Sequence, residues 1–302
     1  MRAKLKISWE FLSEVIDAWN NDNCFRLSAA LSYYTLFSIA PLFIVVIATA
    51  GVFFGEQAIS GVIFNKATVV VGPQAASGLQ TLVKNAYIGK PNSLSGLVSV
   101  GVLLFSATVV LTALQSSLNT ILNVRIRADK GFLYFAFSRL VALAMMLVIG
   151  FLLIISIVLN AVWIALFDYL NRILPGFSLY LIETGQQIIT LGMTTVLFAL
   201  IYKFLPDASI RWRNIWIGSV TTSVLFLIGR YLISFYLGNT NITSLYGAAG
   251  SVILLVVWIN YSSWILFLGA EVIMVLSQKR GDRIKPSRIA ETYRHVVELD
   301  NI

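Results

Sequence analysis

The chain has 302 residues, of which 58% are apolar and only 12% are charged, and its mean hydropathy is +0.83. A soluble domain carries about 25% charged residues, because most of its surface must be covered by groups that water tolerates. The composition therefore indicates an integral membrane protein and excludes a soluble fold. The single cysteine, Cys24, excludes an internal disulfide, and the single histidine, His295, excludes a histidine-based metal site. No metal and no cofactor are expected.

Six apolar stretches are long enough to cross a bilayer as helices, which takes about 20 residues each. They cover residues 27–54, 94–118, 140–167, 187–205, 215–237 and 246–276. A membrane β-barrel would instead have short alternating segments of about ten residues. The predicted fold class is an all-α integral membrane protein with six transmembrane helices in residues 1–278, followed by a basic tail, residues 279–302.

The positive charges predict the orientation. One alternating set of polar segments (the N-terminus, the second and fourth loops and the tail) carries 17 Lys and Arg residues, whereas the other set carries 4. Positively charged segments stay on the cytoplasmic side of bacterial membranes. Both termini are therefore predicted to be cytoplasmic. The formal net charge of +8 favours contact with anionic lipid headgroups at the tail and loops rather than with nucleic acid.

Two accessory segments are predicted. Residues 5–20 have an apolar helical face containing Trp9, Leu12, Ile16 and Trp19, with acidic residues opposite. We predict an amphipathic helix at the cytoplasmic interface. Packing of its acidic face against the protein's own basic loops is the competing interpretation. In the outer loop, residues 55–93, a Gly-Pro pair separates two stretches with helical periodicity, which indicates two short outer helices.

Polar side chains within the predicted spans are concentrated toward the cytoplasmic side. Such groups are costly in hydrocarbon unless they are paired or solvated. They line a water-filled cavity, or they hydrogen-bond between helices and hold them together; the sequence favours neither. The candidates for a cavity lining or substrate path are Arg26, Ser28, Ser32, Thr35, Thr108, Thr112, Gln115, Asn119, Arg230, Asn260, Ser263 and Glu271.

Two buried charges and one proline stand out. Glu271 is predicted to pair with Arg26 at the cytoplasmic mouth, since an unpaired carboxylate there is expensive; a proton or ion site is the alternative. Arg230 is predicted to snorkel to the outer surface, with contact to an anion or headgroup as the alternative. Pro41 removes a backbone donor and should kink the first spanning helix.

Enzymatic chemistry has little support in the sequence. There is no phosphate-binding glycine loop followed by Lys-Ser or Lys-Thr. A serine nucleophile would lack a histidine within the membrane domain, because His295 is in the tail. We expect a protein that is not an enzyme and has no catalytic residues.

Three segments resemble one bacterial family. The segments are RLSAALSYYTLFSIAPL from Arg26, GPQAASGLQTLVKNA from Gly72, and YGAAGSVILLVVWINYSSWILFLGAEV from Tyr246. They resemble the YihY/BrkB family of bacterial inner-membrane proteins, once labelled ribonuclease BN, over residues from about 9 to 280. The resemblance implies a multi-pass inner-membrane protein with both termini inside. It provides no catalytic residues; Arg26, Pro41, Gly269 and Glu271 match its motif positions.

Two functions remain in competition. The first is a transporter or flippase for an unidentified solute or lipid-like substrate, which would use a polar cavity facing the cytoplasm. The second is a noncatalytic membrane scaffold or regulator that binds lipids or partner proteins. Either protein could act as an oligomer. A cavity reaching the middle of the membrane favours the first function, and a solid bundle favours the second.

Overall fold

The computed structural model describes residues 2–54, 94–127, 131–173, 179–239, 248–287 and 290–292, together with isolated helical positions between 61 and 81. The two predicted outer-loop helices in 55–93 fall almost entirely outside these residues. The helices are α1 (Arg2–Asn21), α2 (Cys24–Phe54), α3 (Leu94–Ile121), α4 (Gly131–Ile173), α5 (Leu179–Phe204), α6 (Trp212–Asn239) and α7 (Ala248–Lys279). The short strands are β1 (Val124–Ile126), β2 (Ala208–Ser209), β3 (Lys285–Pro286) and β4 (Ala290–Thr292).

The helices confirm the predicted fold class of an all-α membrane protein. Within the described residues, α3 to α7 each contain a segment long and apolar enough to cross a membrane. Helix α2 has 31 residues and contains Pro41. The number of spans and their orientation stay predictions. Two helices end at left-handed asparagines, Asn23 after α1 and Asn123 after α3, whose φ values are 53° and 55°. Asparagine adopts this conformation at low cost and so terminates a helix.

The six long helices pack in a closed ring, α2–α3–α4–α5–α6–α7, in which α7 returns to α2. Additional contacts join α2 to α4 and α3 to α7 across the ring. The core between them contains the fully buried side chains of Leu118, Ile121, Tyr202, Ile215 and Phe267. The apolar face of α4 is largely uncovered by protein, as expected for a helix that faces lipid.

Glycine allows α6 and α7 to approach each other closely. A methyl group at Gly269 of α7 would overlap the side-chain oxygens of Thr222 and Tyr202, and one at Gly218 of α6 would overlap Ile273. Small residues at a membrane helix interface bring the backbones together, because hydrocarbon provides no hydrophobic drive for helix association. Gly269 is therefore part of the packing between α5, α6 and α7.

Helix α1 uses two different apolar surfaces. Val15 is buried against Val272 and Val275 of α7, and Glu14 forms a 2.9 Å salt bridge with Lys279 at the end of the same helix. The predicted apolar face is a separate surface: Trp9 is 73% exposed and Leu12 47% exposed. Helix α1 thus packs on the protein through its acidic side, and on its other side Trp9 and Leu12 stay exposed while Trp19 packs against Phe25.

The tail forms two small antiparallel sheets with the interhelical loops. Strand β4 pairs with β1, which follows α3, and β3 pairs with β2, which lies between α5 and α6. An Arg125–Glu291 ion pair at 2.7 Å reinforces the first sheet. We call this end of the bundle the tail side. It is the side that the charge distribution predicts to be cytoplasmic.

Candidate functional site

A buried carboxylate at the tail side joins α3 to the loop between α5 and α6. Asp207 is only 5% exposed. Its Oδ2 accepts hydrogen bonds from Asn119 Nδ2 at 2.8 Å and from Gln115 Nε2 at 3.1 Å. Its backbone N–H donates to Asn119 Oδ1 at 2.8 Å, and its carbonyl accepts from the N–H of Ser287 in the tail at 2.9 Å. The asparagine therefore binds both the side chain and the main chain of Asp207.

The electrostatics of Asp207 reflect two opposing effects. Burial raises the pKa of the Asp207 carboxyl, and the hydrogen bonds from Asn119 and Gln115 partly offset this rise. Both amides stabilise the ionised form, as hydrogen bonds donated to a carboxylate do. Asp207 is thus a carboxyl whose protonation is sensitive to the position of α3.

A second polar cluster connects the start of α6 to the end of α7. Asn214 is fully buried, and its amide nitrogen donates to Ser277 Oγ at 2.9 Å and to Asp282 Oδ2 at 3.1 Å. Its carbonyl oxygen accepts from Arg280 at 2.8 Å. Asp282 also pairs with Arg211. Both N–H groups and the carbonyl oxygen of the Asn214 amide are hydrogen-bonded, which fixes these two helix ends together.

Glu271 is completely buried in α7, but Arg26 is not its partner. Its Oε1 accepts a hydrogen bond from the thiol of Cys24 at 3.5 Å, and the carboxyl of Asp22 lies within hydrogen-bonding range. The side chain of Arg26 is exposed. Cys24 and Arg26 are two positions apart on α2, which is about 200° around a helix at 3.6 residues per turn. The predicted Arg26–Glu271 pair is wrong, because Cys24 occupies the face of α2 that meets Glu271.

A tyrosine links three helices near the close approach at Gly269. The hydroxyl of Tyr202 in α5 is 2.8 Å from Thr222 Oγ1 in α6 and donates to the carbonyl of Leu266 in α7 at 2.7 Å. Tyr202 is only 1% exposed. A buried tyrosine hydroxyl needs a partner, and the Leu266 carbonyl provides it.

Arg139 of α4 binds Thr108 and Phe105 of α3. Its guanidinium donates to Thr108 Oγ1 at 2.6 Å and to the carbonyl of Phe105 at 3.3 Å. The same group lies 4.2 Å from the centre of the Phe105 ring. Thr108 is therefore a partner of a cation within the bundle, and this contact ties α4 to α3.

Several predicted site residues are bonded within their own helices. The hydroxyls of Ser32, Thr35, Thr112 and Ser263 each donate to the carbonyl four residues earlier, at 2.7–2.8 Å. This local bond satisfies the hydroxyl donor without a neighbouring helix. Asn260 is half-buried, and Arg230 is half-buried with its guanidinium 5.3 Å from the Tyr231 ring. The structure does not bring Arg230 near Asp207 or Glu271, because it lies toward the far end of α6.

Other buried polar atoms have no hydrogen-bond partner among the described residues. They are distributed over four helices of the ring: Ser28 Oγ in α2, Gln115 Oε1 in α3, Ser219 Oγ and Ser223 Oγ in α6, and Ser262 Oγ in α7. An unsatisfied buried polar group costs about 1–3 kcal/mol. Ordered water or a polar ligand can remove this cost. We call the set of these atoms, together with Asp207 and its amide partners, the polar layer; its members lie at different depths along their helices.

Sequence reasoning missed three residues of this region. Asp207, Asn214 and Cys24 were not among the candidates, because a loop aspartate, an asparagine at a helix start and a lone cysteine are usually surface or packing residues. The available signal for Asp207 was its position directly after Pro206 in a short link between two apolar helices. Among the described residues, no group of three or more His, Cys, Asp and Glu side chains is arranged to hold a metal ion.

The ring of long apolar helices and the buried polar groups between them define a polytopic α-helical membrane protein. The family model described as "Virulence factor BrkB" matches residues 15–293 of the chain. The chain therefore belongs to the BrkB family, and the sequence-based resemblance is confirmed.

The similar proteins are bacterial membrane proteins. The chain is 26% identical to a UPF0761 membrane protein of Teredinibacter turnerae over 293 residues, 93% of the chain and 63% of that protein. It is 27% identical to one of Azotobacter vinelandii, covering 95% of the chain and 68% of that protein. A third, from Psychromonas ingrahamii, is 25% identical and is matched over 90% of its length. The chain thus spans about two thirds of the first two relatives. No solved structure matches it.

Proposed function

We propose that this protein is a transporter or flippase of the bacterial inner membrane, with both termini cytoplasmic. It moves an unidentified solute or lipid-like substrate, and it is not an enzyme. The observation that carries the proposal is the set of unpartnered polar atoms in the polar layer. A protein built only for support would gain stability by replacing these serines with alanine, because each unsatisfied group costs about 1–3 kcal/mol. A substrate path that fills with water, or that binds a polar substrate, needs these polar groups.

The tail-side end of the polar layer consists of Asp207 and its amide partners. Gln115 is adjacent to Asn119 and Asp207, and Asp207 is held by Ser287 of the tail. Opening the path requires the tail and the loop after α5 to move, since both cover this end of the ring. Buried polar groups of this kind mark substrate paths in membrane proteins.

Thiol labelling tests whether the path contains water. In a Cys24→Ala background, cysteines are placed at Ser28, Ser223 and Gln115, and a charged thiol reagent is added to right-side-out and inverted vesicles. The reagent reacts with thiolates, which form in water and not in hydrocarbon. We expect labelling at Ser28 and Ser223 from the cytoplasmic side.

Two matched variants calibrate this experiment. A cysteine at Arg213, which is exposed at the tail side, gives full labelling, and one at Val257, which is exposed on the apolar surface of α7, gives none. If the polar-layer cysteines are as unreactive as the Val257 variant, the transporter proposal fails. A screen in proteoliposomes with lipids and osmolytes then identifies the substrate.

The second candidate is a noncatalytic scaffold or regulator. The pairing of the tail strands with the loops favours it, because both sheets close the tail side. Several basic residues there are already used internally: Arg125, Arg211, Arg280 and Lys279 all bind groups of the protein itself. The exposed Arg127, Arg213, Arg283 and Lys285 remain for anionic headgroups. The labelling experiment separates the two functions, since a scaffold needs no water within the ring.

A further inference from the structure

An apolar groove lies outside the polar layer, where α1 and the start of α2 meet α6 and α7. Its volume is about 430 Å³, within the range of about 300–1,000 Å³ that is usual for small-molecule sites. Apart from Asn20 and the Tyr261 hydroxyl, its lining is apolar. The lining residues are Ile16, Trp19, Asn20, Phe25, Leu225, Tyr261, Trp264, Ile265 and Leu268.

The groove follows part of α7. On α7 it extends from Leu268 to Tyr261, which is about 10 Å at 1.5 Å per residue. A leaflet of hydrocarbon is about 15 Å thick, half of the bilayer core. Helix α1 is at the tail-side end of the groove, and Leu225 and Tyr261 lie deeper in the membrane. This direction and length match an extended acyl chain in the leaflet on the tail side.

Three aromatic rings form one wall of the groove and remain open to the membrane. The rings of Trp19 and Phe25 are 4.1 Å apart, and those of Phe25 and Trp264 are 5.1 Å apart, both edge to face. Phe25 is 54% exposed and Trp264 36% exposed. The wall is fixed by its own packing, so it does not need to be assembled by the ligand.

A polar donor among the residues of the groove has no acceptor. The indole nitrogen of Trp19 is buried and has no hydrogen-bond partner among the described residues, although a buried tryptophan N–H usually has one. The exposed Asn20 amide lines the groove beside it, and the exposed Arg26 follows Phe25 in sequence. A donor and an amide in the groove wall, with a cation one position after Phe25, fit the ester and phosphate oxygens of a phospholipid.

We propose that this groove is a binding site for one phospholipid of the leaflet on the tail side. The acyl chain lies between α6 and α7 against the wall of Phe25 and Trp264. The ester oxygens accept the Trp19 N–H, and the phosphate lies near Arg26. The site is distinct from the polar layer, so lipid binding here does not depend on the proposed transport function.

Lipid retention during purification tests the proposal. The protein is extracted in a mild detergent and delipidated, and the phospholipid that remains per chain is quantified by mass spectrometry. Leu225→Trp fills the groove from α6, and Val224→Trp places the same ring on the neighbouring position, which is 40% exposed outside the groove. We expect loss of most of the retained phospholipid in the first variant and none in the second.

A conservative change tests the polar end separately. Trp19→Phe keeps the aromatic wall but removes the N–H, so we expect partial loss of lipid at unchanged thermal stability. Equal retention in the wild type, the Leu225→Trp variant and the Val224→Trp variant would overturn the proposal. So would detergent retained in place of lipid, or a wild-type dimer that Leu225→Trp dissociates, because a second chain would then occupy the groove.

Discussion

Replacement of Gly269 with alanine tests the close packing of α5, α6 and α7. The added methyl group overlaps Thr222 Oγ1 and the Tyr202 hydroxyl, so either the helices separate or the Tyr202–Leu266 hydrogen bond is disturbed. Overpacking of a well-packed interior costs about 1–3 kcal/mol, and a lost hydrogen bond costs about 1 kcal/mol more. Alanine recovers up to about 1 kcal/mol through its higher helix propensity. The expected net destabilisation is about 1–3 kcal/mol.

The single cysteine provides the assay. Cys24 is fully buried, so a thiol-reactive fluorescent dye labels the detergent-solubilised protein only as it unfolds. Gly192→Ala is the matched control, because a methyl group at Gly192 of α5 meets no atom within 4 Å. The control should unfold at the wild-type temperature or slightly above it, whereas Gly269→Ala should unfold several degrees lower.

A double variant identifies the cause of the destabilisation. Thr222→Ala removes the side-chain oxygen that the new methyl group overlaps. Gly269→Ala combined with Thr222→Ala should therefore cost less than the sum of the two single changes, as expected for residues in contact. Additive costs, or a Gly269→Ala protein as stable as the Gly192 control, would show that the helices do not approach each other as described.

Three further predictions concern the tail side. The first is measured by thermal unfolding followed by circular dichroism, because thiol labelling itself slows as pH falls, and the other two by the same unfolding assay. Because burial raises the pKa of Asp207, the ionised form is disfavoured in the fold; wild-type stability should rise as pH falls from neutral through this raised pKa, and Asp207→Asn should remove that part of the pH dependence. Asn214→Ala should cost about 2–3 kcal/mol, since it removes three buried or half-buried hydrogen bonds, to Ser277, Asp282 and Arg280, at about 1 kcal/mol each. Arg26→Gln should change stability by less than about 0.5 kcal/mol, as for other exposed residues. Its effect should add to that of Glu271→Gln. Nonadditive effects would instead show that Arg26 and Glu271 form an ion pair, in place of the contact between Cys24 and Glu271.

The helices were predictable because each is a long apolar segment bounded by polar residues. The six predicted stretches coincide with α2 to α7, although α4 is longer than its apolar part, since its ends contain polar residues that a hydropathy count leaves out. Hydropathy reports on burial in lipid or protein without distinguishing the two. The partners of Glu271 depend instead on which face of α2 meets α7, and one sequence does not determine that rotation.

The polar layer was predictable only in part. Gln115 and Asn119 were identified, because an amide within an apolar helix is conspicuous. Their partner Asp207 was not, because it follows Pro206 in a polar link, where an aspartate is normally solvated. Contacts that join residues about 90 positions apart, such as Asn119 with Asp207, are set by tertiary packing and leave no local pattern in the sequence.

The strands of the tail have a consequence for how the protein is made. Strands β3 and β4 pair with β2 and β1, which are synthesised much earlier in the loops after α5 and α3. A chain is synthesised from its N-terminus. Strands β1 and β2 therefore have no pairing partner until α7 and the residues after it have been synthesised. The segment after α7 therefore completes a face of the protein that the two earlier loops began. A nascent chain that stalls before residue 285 would present these edges to proteases and chaperones as a mark of incomplete assembly.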